Sequence, residues 1–72
     1  MNKKNKIKIV VNGKLLTVNL KISLKNLIEK LKTPINKVAI ELNEEIIDKK
    51  KMSKIFLKNK DKIEIVHFIG GG

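Results

Sequence analysis

Seventy-two residues suffice for one small domain, which buries only about 60% of its unfolded surface and so has a thin core. There is no cysteine, which excludes disulfides, thiolate metal sites and a cysteine nucleophile together. The net charge is +10, carried by 17 lysines and no arginine. Ile, Lys and Asn fill about half the chain, the codon signature of an AT-rich genome. A nucleic-acid binder is expected to use arginine for bidentate contacts and aromatic rings for stacking. This chain has only Phe56 and Phe68, so its charge reads as solvated surface that steers the protein toward acidic partners.

The first residues, Met1-Asn2-Lys3-Lys4-Asn5-Lys6, are basic. No secretory h-region or cleavage site follows, and no apolar run approaches the ~20 residues of a membrane span. The expectation is a cytoplasmic protein, or one of the plastid stroma if organelle-encoded, with residues 1–5 as a disordered basic extension. Ile7, Ile9 and Val11 then alternate with Lys6, Lys8 and Val10, the period of a half-buried strand. Asn12-Gly13 predicts a tight hairpin turn, because both residues tolerate positive φ. Leu16, Val18, Leu20 and Ile22 alternate on the return.

Ser23 is suited to cap a helix N-terminus. Leu24, Leu27, Ile28 and Leu31 fall on one apolar stripe. Lys30 and Lys32 suit the last turn, and Thr33-Pro34 stops the helix after about nine residues. Val38, Ile40 and Leu42 alternate with Ala39 and Glu41 as a third strand. Asn43-Glu44 turns the chain into a short strand, Glu45 to Ile47. Lys49-Lys50-Lys51 reads as a solvated loop, and Ile55, Phe56 and Leu57 as apolar plugs of the core. Lys58-Asn59-Lys60-Asp61 is a further turn, followed by a last strand from Lys62 to Ile69. Ile63 and Ile65 are expected to face the core, with Lys62 and Glu64 outward.

This order predicts an α+β β-grasp (ubiquitin-like) fold: a mixed sheet of four or five strands wrapped on one helix, with the first and last strands central. One sheet face is covered by the helix and the other is free to dock. Residues 1–69 form the domain and residues 70–72 a flexible C-terminal tail. In the last strand Val66 and Phe68 point outward, and exposed apolar groups beside a chain end suggest a docking surface. Gly70-Gly71-Gly72 offers no side chains and little bulk, as a terminus that must thread an enzyme tunnel requires.

The other candidate chemistry is thin. His67 is the single histidine, so no metal site is expected. Glu41, Glu44, Glu45 and Asp48 lack the spacing and mid-loop glycine of a calcium loop. Ser23 and Ser53 have no partner at readable spacing for nucleophilic catalysis. No phosphate-binding glycine loop exists, and nothing supports independent enzymatic activity.

The segments Val38-Ala39-Ile40-Glu41-Leu42-Asn43-Glu44-Glu45-Ile46-Ile47 and Asp61-Lys62-Ile63-Glu64-Ile65-Val66-His67-Phe68-Ile69-Gly70-Gly71-Gly72 resemble the ThiS sulfur carriers of thiamine biosynthesis. The likeness runs from Ile7 to the C-terminus, and its specific part is the last twelve residues. The family's middle turn is usually Asn-Gly; Asn43-Glu44 departs from it. The lysine-rich start is also not a family feature. The resemblance implies that the Gly72 carboxylate is adenylated by an enzyme resembling ubiquitin-activating enzymes, which supplies ATP and magnesium, so that this chain binds no cofactor. Sulfur drawn from cysteine by a desulfurase, or from another donor, then leaves a thiocarboxylate on Gly72 that serves thiazole synthase. Gly71, Gly70, Ile69, Phe68 and Val66 become the partner-binding residues of a monomeric carrier that binds neither nucleic acid nor membrane. The alternatives are a carrier for molybdopterin or another sulfur pathway, a basic RNA-associated or ribosomal protein, and a protein-tagging modifier joined through Gly72.

Overall fold

The computed structural model describes residues 5–68. The expectations for residues 1–4, for Ile69 and for the glycine tail lie outside the described residues. Strand β1 (Lys6–Val11) turns at Asn12 and Gly13, whose φ angles of 49° and 83° are both positive, as a type I′ turn requires. Strand β2 (Lys14–Asn19) returns antiparallel with Ile7 opposite Val18 and Ile9 opposite Leu16. Helix α1 (Leu24–Lys30) follows, then a short 3-10 turn (Ile35–Lys37) and strand β3 (Val38–Leu42). Strand β4 (Glu45–Ile46), a 3-10 helix (Lys49–Lys54) and strand β5 (Lys62–His67) complete the chain.

The five strands form one sheet in the order β2-β1-β5-β3-β4. β5 lies in the middle, parallel to β1 and antiparallel to β3. This is the β-grasp arrangement, with the first and last strands inside the sheet as their apolar content requires. Ile7, Ile9, Val18, Val38, Ile40 and Ile63 are buried from the sheet, and Leu24, Leu27 and Ile28 from the helix. One face of the sheet thus closes on α1 by the hydrophobic burial of a single thin core. The opposite face carries Leu15, Ile46 and Val66 exposed. Among the described residues no helix is long and apolar enough to cross a membrane.

Several local expectations need correction. The strand period fails after Asn19: Lys21 adopts φ 68°, Leu20 is exposed, and Ile22 reaches the core from outside the ladder. The helix starts as expected, with the Ser23 hydroxyl accepting the Asn26 N–H at 3.0 Å. It spans seven residues rather than nine. Lys32 takes the left-handed conformation at φ 56°, and its N–H donates to the Glu29 carbonyl at 2.9 Å while that of Thr33 donates to Ile28 at 3.2 Å. This pair of bonds is a Schellman motif, so the helix has ended before Pro34 acts. Leu31 is the C-cap and is partly exposed, not a member of the buried stripe, and Lys32 lies beyond the last turn.

The lysine run is not a loop. Lys49 to Lys51 opens the six-residue 3-10 helix, started by Asp48, whose carboxylate accepts the Lys50 N–H at 2.9 Å. That helix exists to bury Met52, which is fully enclosed in the core. Of the three expected plugs, Leu57 is buried and Ile55 half-buried, but Phe56 is 56% exposed. β4 is one residue shorter than expected, although the Ile47 N–H still donates to the Ile40 carbonyl at 2.9 Å. Ile65 faces the core as expected, half-buried against it, and β5 ends at His67.

The Asn43-Glu44 turn holds two non-glycine residues at φ 50° and 73°. Left-handed backbone strains a residue with a β-carbon. Glu44 gains only a 4.0 Å ion pair with Lys62, both side chains largely exposed, and such pairs contribute little. Glu44→Gly should therefore raise the unfolding free energy by about 1 kcal/mol, read from the urea midpoint at unchanged m-value. An unchanged or lower midpoint would show that the turn is unstrained.

Candidate functional site

β5 and the residues that hold it define the site, because the chain leaves the fold through it. Hydrogen bonds along β5 alternate between its two neighbours. The Lys62 carbonyl accepts from the Asn43 N–H at 2.8 Å, and the Phe68 N–H donates to the Lys37 carbonyl at 2.9 Å. Even-numbered residues therefore face β3. The Asp61 and Ile63 carbonyls accept from Val10 and Asn12, each at 2.9 Å, so odd-numbered residues face β1. The β3 ladder runs one pair past the strand end, to Phe68. The β1 ladder stops early, because β1 turns away at Asn12.

Two asparagine side chains supply what the backbone lacks. The Asn12 side-chain carbonyl accepts the Ile65 N–H at 2.7 Å and its amide donates to the Ile65 carbonyl at 3.3 Å, imitating one further residue of β1. The Asn43 side-chain carbonyl accepts the Lys62 N–H at 2.9 Å, and its amide donates to the Asp61 carboxylate at 3.0 Å. Each asparagine thus has two roles, bending a hairpin through positive φ and clasping β5. Sequence reasoning finds the first role in Asn-Gly and Asn-Glu; the second depends on contacts as distant as 53 residues and has no local signal.

Val66 and Phe68 are 51% and 60% exposed, so the structure bears out their expected outward placement. Val66 pairs with Ala39, and the next pair on the same face sets Glu64 opposite Glu41, itself opposite Ile46. Phe68 is fixed by its backbone bond to Lys37, and the Lys49 ammonium stands 5.4 Å from its ring centroid, a cation–π contact of about 0.5–1 kcal/mol at an exposed site. Val66 and Phe68 are therefore held apolar surface at the root of the tail. His67 lies exposed between them. Among the described residues no three His, Cys, Asp or Glu side chains gather as metal ligands. Ile69, Gly70, Gly71 and Gly72 lie outside the described residues.

A ubiquitin-like β-grasp domain whose central strand is the last in the chain is the class this geometry defines. The ThiS family model matches residues 9–72, and the chain belongs to the ThiS family. The structure is similar to that of a thiamine biosynthesis protein (ThiS) from Geobacter metallireducens, with a TM-score of 0.81 and 30% identity over 92% of this chain and 100% of that one. Over 33 residues, 46% of this chain, it is 52% identical to the sulfur carrier protein ThiS of Bacillus subtilis (strain 168). A 33-residue match of the same identity is found with the uncharacterized protein ycf40 of Trieres chinensis. These matches span 50% and 45% of those relatives' lengths, so the chain matches about half of each.

The Asn12 clasp can be tested directly. Asn12→Ala removes two side-chain bonds to β5 and places a poor left-handed residue in the turn. It should cost about 1–3 kcal/mol of stability, seen as a lower thermal midpoint. A midpoint equal to wild type would mean that β5 does not depend on the clasp.

Proposed function

We propose that this chain is a sulfur carrier for thiazole formation in thiamine biosynthesis. A free carboxylate is a poor acyl donor. Attack of a Gly72 carboxylate oxygen on the α-phosphorus of ATP, with loss of pyrophosphate, gives a mixed anhydride with AMP as leaving group. A sulfide equivalent from the sulfur donor then attacks the acyl carbon, AMP departs, and Gly72 ends as a thiocarboxylate that thiazole synthase consumes. The adenylating enzyme provides ATP and magnesium, and this chain is a co-substrate rather than a catalyst. Without cysteine it has no thiol on which to hold sulfur as a persulfide, which leaves the terminus.

The observation that carries this reading is the family match through residue 72, on a fold whose central strand β5 is the last in the chain and in a sequence that closes on three glycines. The name of the Bacillus subtilis relative, a sulfur carrier protein, supports it. Val66, Phe68 and Ile69 serve as apolar grip for the adenylating enzyme beside the tail, with Gly70 as spacer and Gly71 as the residue that must fit the enzyme's tunnel.

Incubation with the adenylating enzyme of the same genome, ATP, magnesium and a sulfur donor should add the mass of one sulfur minus one oxygen to the C-terminal peptide. Phe68→Ala should slow that conversion while the thermal midpoint stays near wild type, because the lost ring is mostly exposed. An unchanged mass on the wild-type chain, or full sulfur transfer after deletion of Gly71 and Gly72, would sink the carrier reading.

A further inference from the structure

Asn12 is the one asparagine of this sequence that is followed by glycine. The hairpin needs that pairing, because both residues hold positive φ. It is also a chemically labile pairing. The backbone nitrogen of the following residue can attack an asparagine side-chain carbonyl, and glycine puts no side chain in its way. Here the approach is open. Both residues are exposed, and a β-carbon built on Gly13 would meet nothing within 4 Å. Among the described residues no backbone acceptor takes the Gly13 N–H.

What opposes the attack is the clasp. The Asn12 carboxamide is held on β5 by both its ends. Its carbonyl accepts the Ile65 N–H at 2.7 Å and its amide donates to the Ile65 carbonyl at 3.3 Å. Those bonds tie the carboxamide to β5, so it is free to turn toward the Gly13 nitrogen only while they are open. They lie at the end of a parallel ladder of just two residue pairs, where opening is local rather than global.

We propose that Asn12 is a deamidation site gated by its own clasp, and that its modification loosens β5. The Gly13 amide nitrogen gives up its proton and bonds to the Asn12 Cγ. The Cγ–Nδ2 bond breaks and ammonia leaves, closing a five-membered succinimide. Water then opens the ring at one of its two carbonyls. Cleavage at Cγ leaves aspartate; cleavage at the backbone carbonyl leaves isoaspartate, with the chain running through the former side chain. One water is consumed and one ammonia released, with no change of oxidation state. Both products lack the amide that donates to Ile65. Aspartate sets an anionic oxygen against the Ile65 carbonyl. Isoaspartate adds a backbone atom to a turn whose register places Ile9 opposite Leu16. The two-bond clasp cannot re-form, so β5 keeps its hold on β3 and loses part of its hold on the β1 side.

The purified chain is incubated in mildly alkaline buffer beside a peptide of residues 9–15, and the segment containing Asn12 is followed by mass and retention time. Conversion adds the mass of an oxygen less that of an NH group. The folded chain should convert about tenfold more slowly than the peptide, the factor that the clasp's net bonding supplies. Both should convert faster as pH rises, since the attacking amide must lose its proton. The deamidated fraction carries one more negative charge and is separated by ion exchange. In it the Ile65 amide should exchange about tenfold faster than in the unmodified chain. The Phe68 amide, bonded to the Lys37 carbonyl, should keep its protection. A folded chain that converts as fast as the peptide would overturn the gating, and one left intact over several of the slowed half-lives would overturn the site. An Ile65 amide protected as before, or a loss of protection shared equally by Phe68, would overturn the loosening of β5.

Discussion

The fold depends on β5 being held from both sides at once. It is the last strand made and the central strand of the sheet, so it enters between β1 and β3 and completes the core that α1 covers. Its bonds to β1 and to Asn12 close a loop of some fifty residues, and closing a long loop is unfavourable until the contacts it brings together form. Ile63, fully buried on this strand, supplies apolar contact where the parallel pairing to β1 is only two residues long. The Asn12 clasp extends that pairing with a side chain, and the Asn43 clasp does the same for the β3 side at the start of β5. The hairpin turns are therefore structural twice over, and the terminus is anchored up to Phe68.

That anchoring connects the fold to the chemistry proposed for it. A reactive carboxylate at the end of a chain is useful to an enzyme only if its origin is fixed and its last residues are slender. Rigidity up to Phe68 meets the first need, and three glycines meet the second. The +10 charge does not enter the site's geometry. Its contribution near the tail is the Lys49 ammonium beside the Phe68 ring, which helps to hold the root of the tail in place. Elsewhere the lysines keep the thin-cored domain solvated and favour approach to acidic surfaces.

Much of this was legible in the sequence wherever a local signal carried it. Alternating isoleucines and valines gave the strands. Asn12-Gly13 gave the hairpin, Ser23 the helix start, and Val66 and Phe68 an exposed pair beside the tail. The misses share a cause. Lys21 and Lys32 adopt left-handed backbone that lysine does not advertise, so the second strand and the helix were each read too long. Met52 sat within a polar, lysine-rich run, and only the tertiary fold makes that run a 3-10 helix that buries it. Phe56 reads as core on hydrophobicity alone, whereas the residue forms an isolated antiparallel bridge with Ser23 and its ring stays exposed. The asparagine clasps follow from which strands become neighbours, and composition holds no trace of that.

Amide hydrogen exchange on the free protein tests this account most directly. If β5 is held through Phe68 on one side and only through Ile65 on the other, the Glu64, Ile65, Val66 and Phe68 amides must be protected, while that of His67 exchanges fast between protected neighbours. A Phe68 amide exchanging as freely as an unfolded chain, or a His67 amide as protected as Val66, would contradict it.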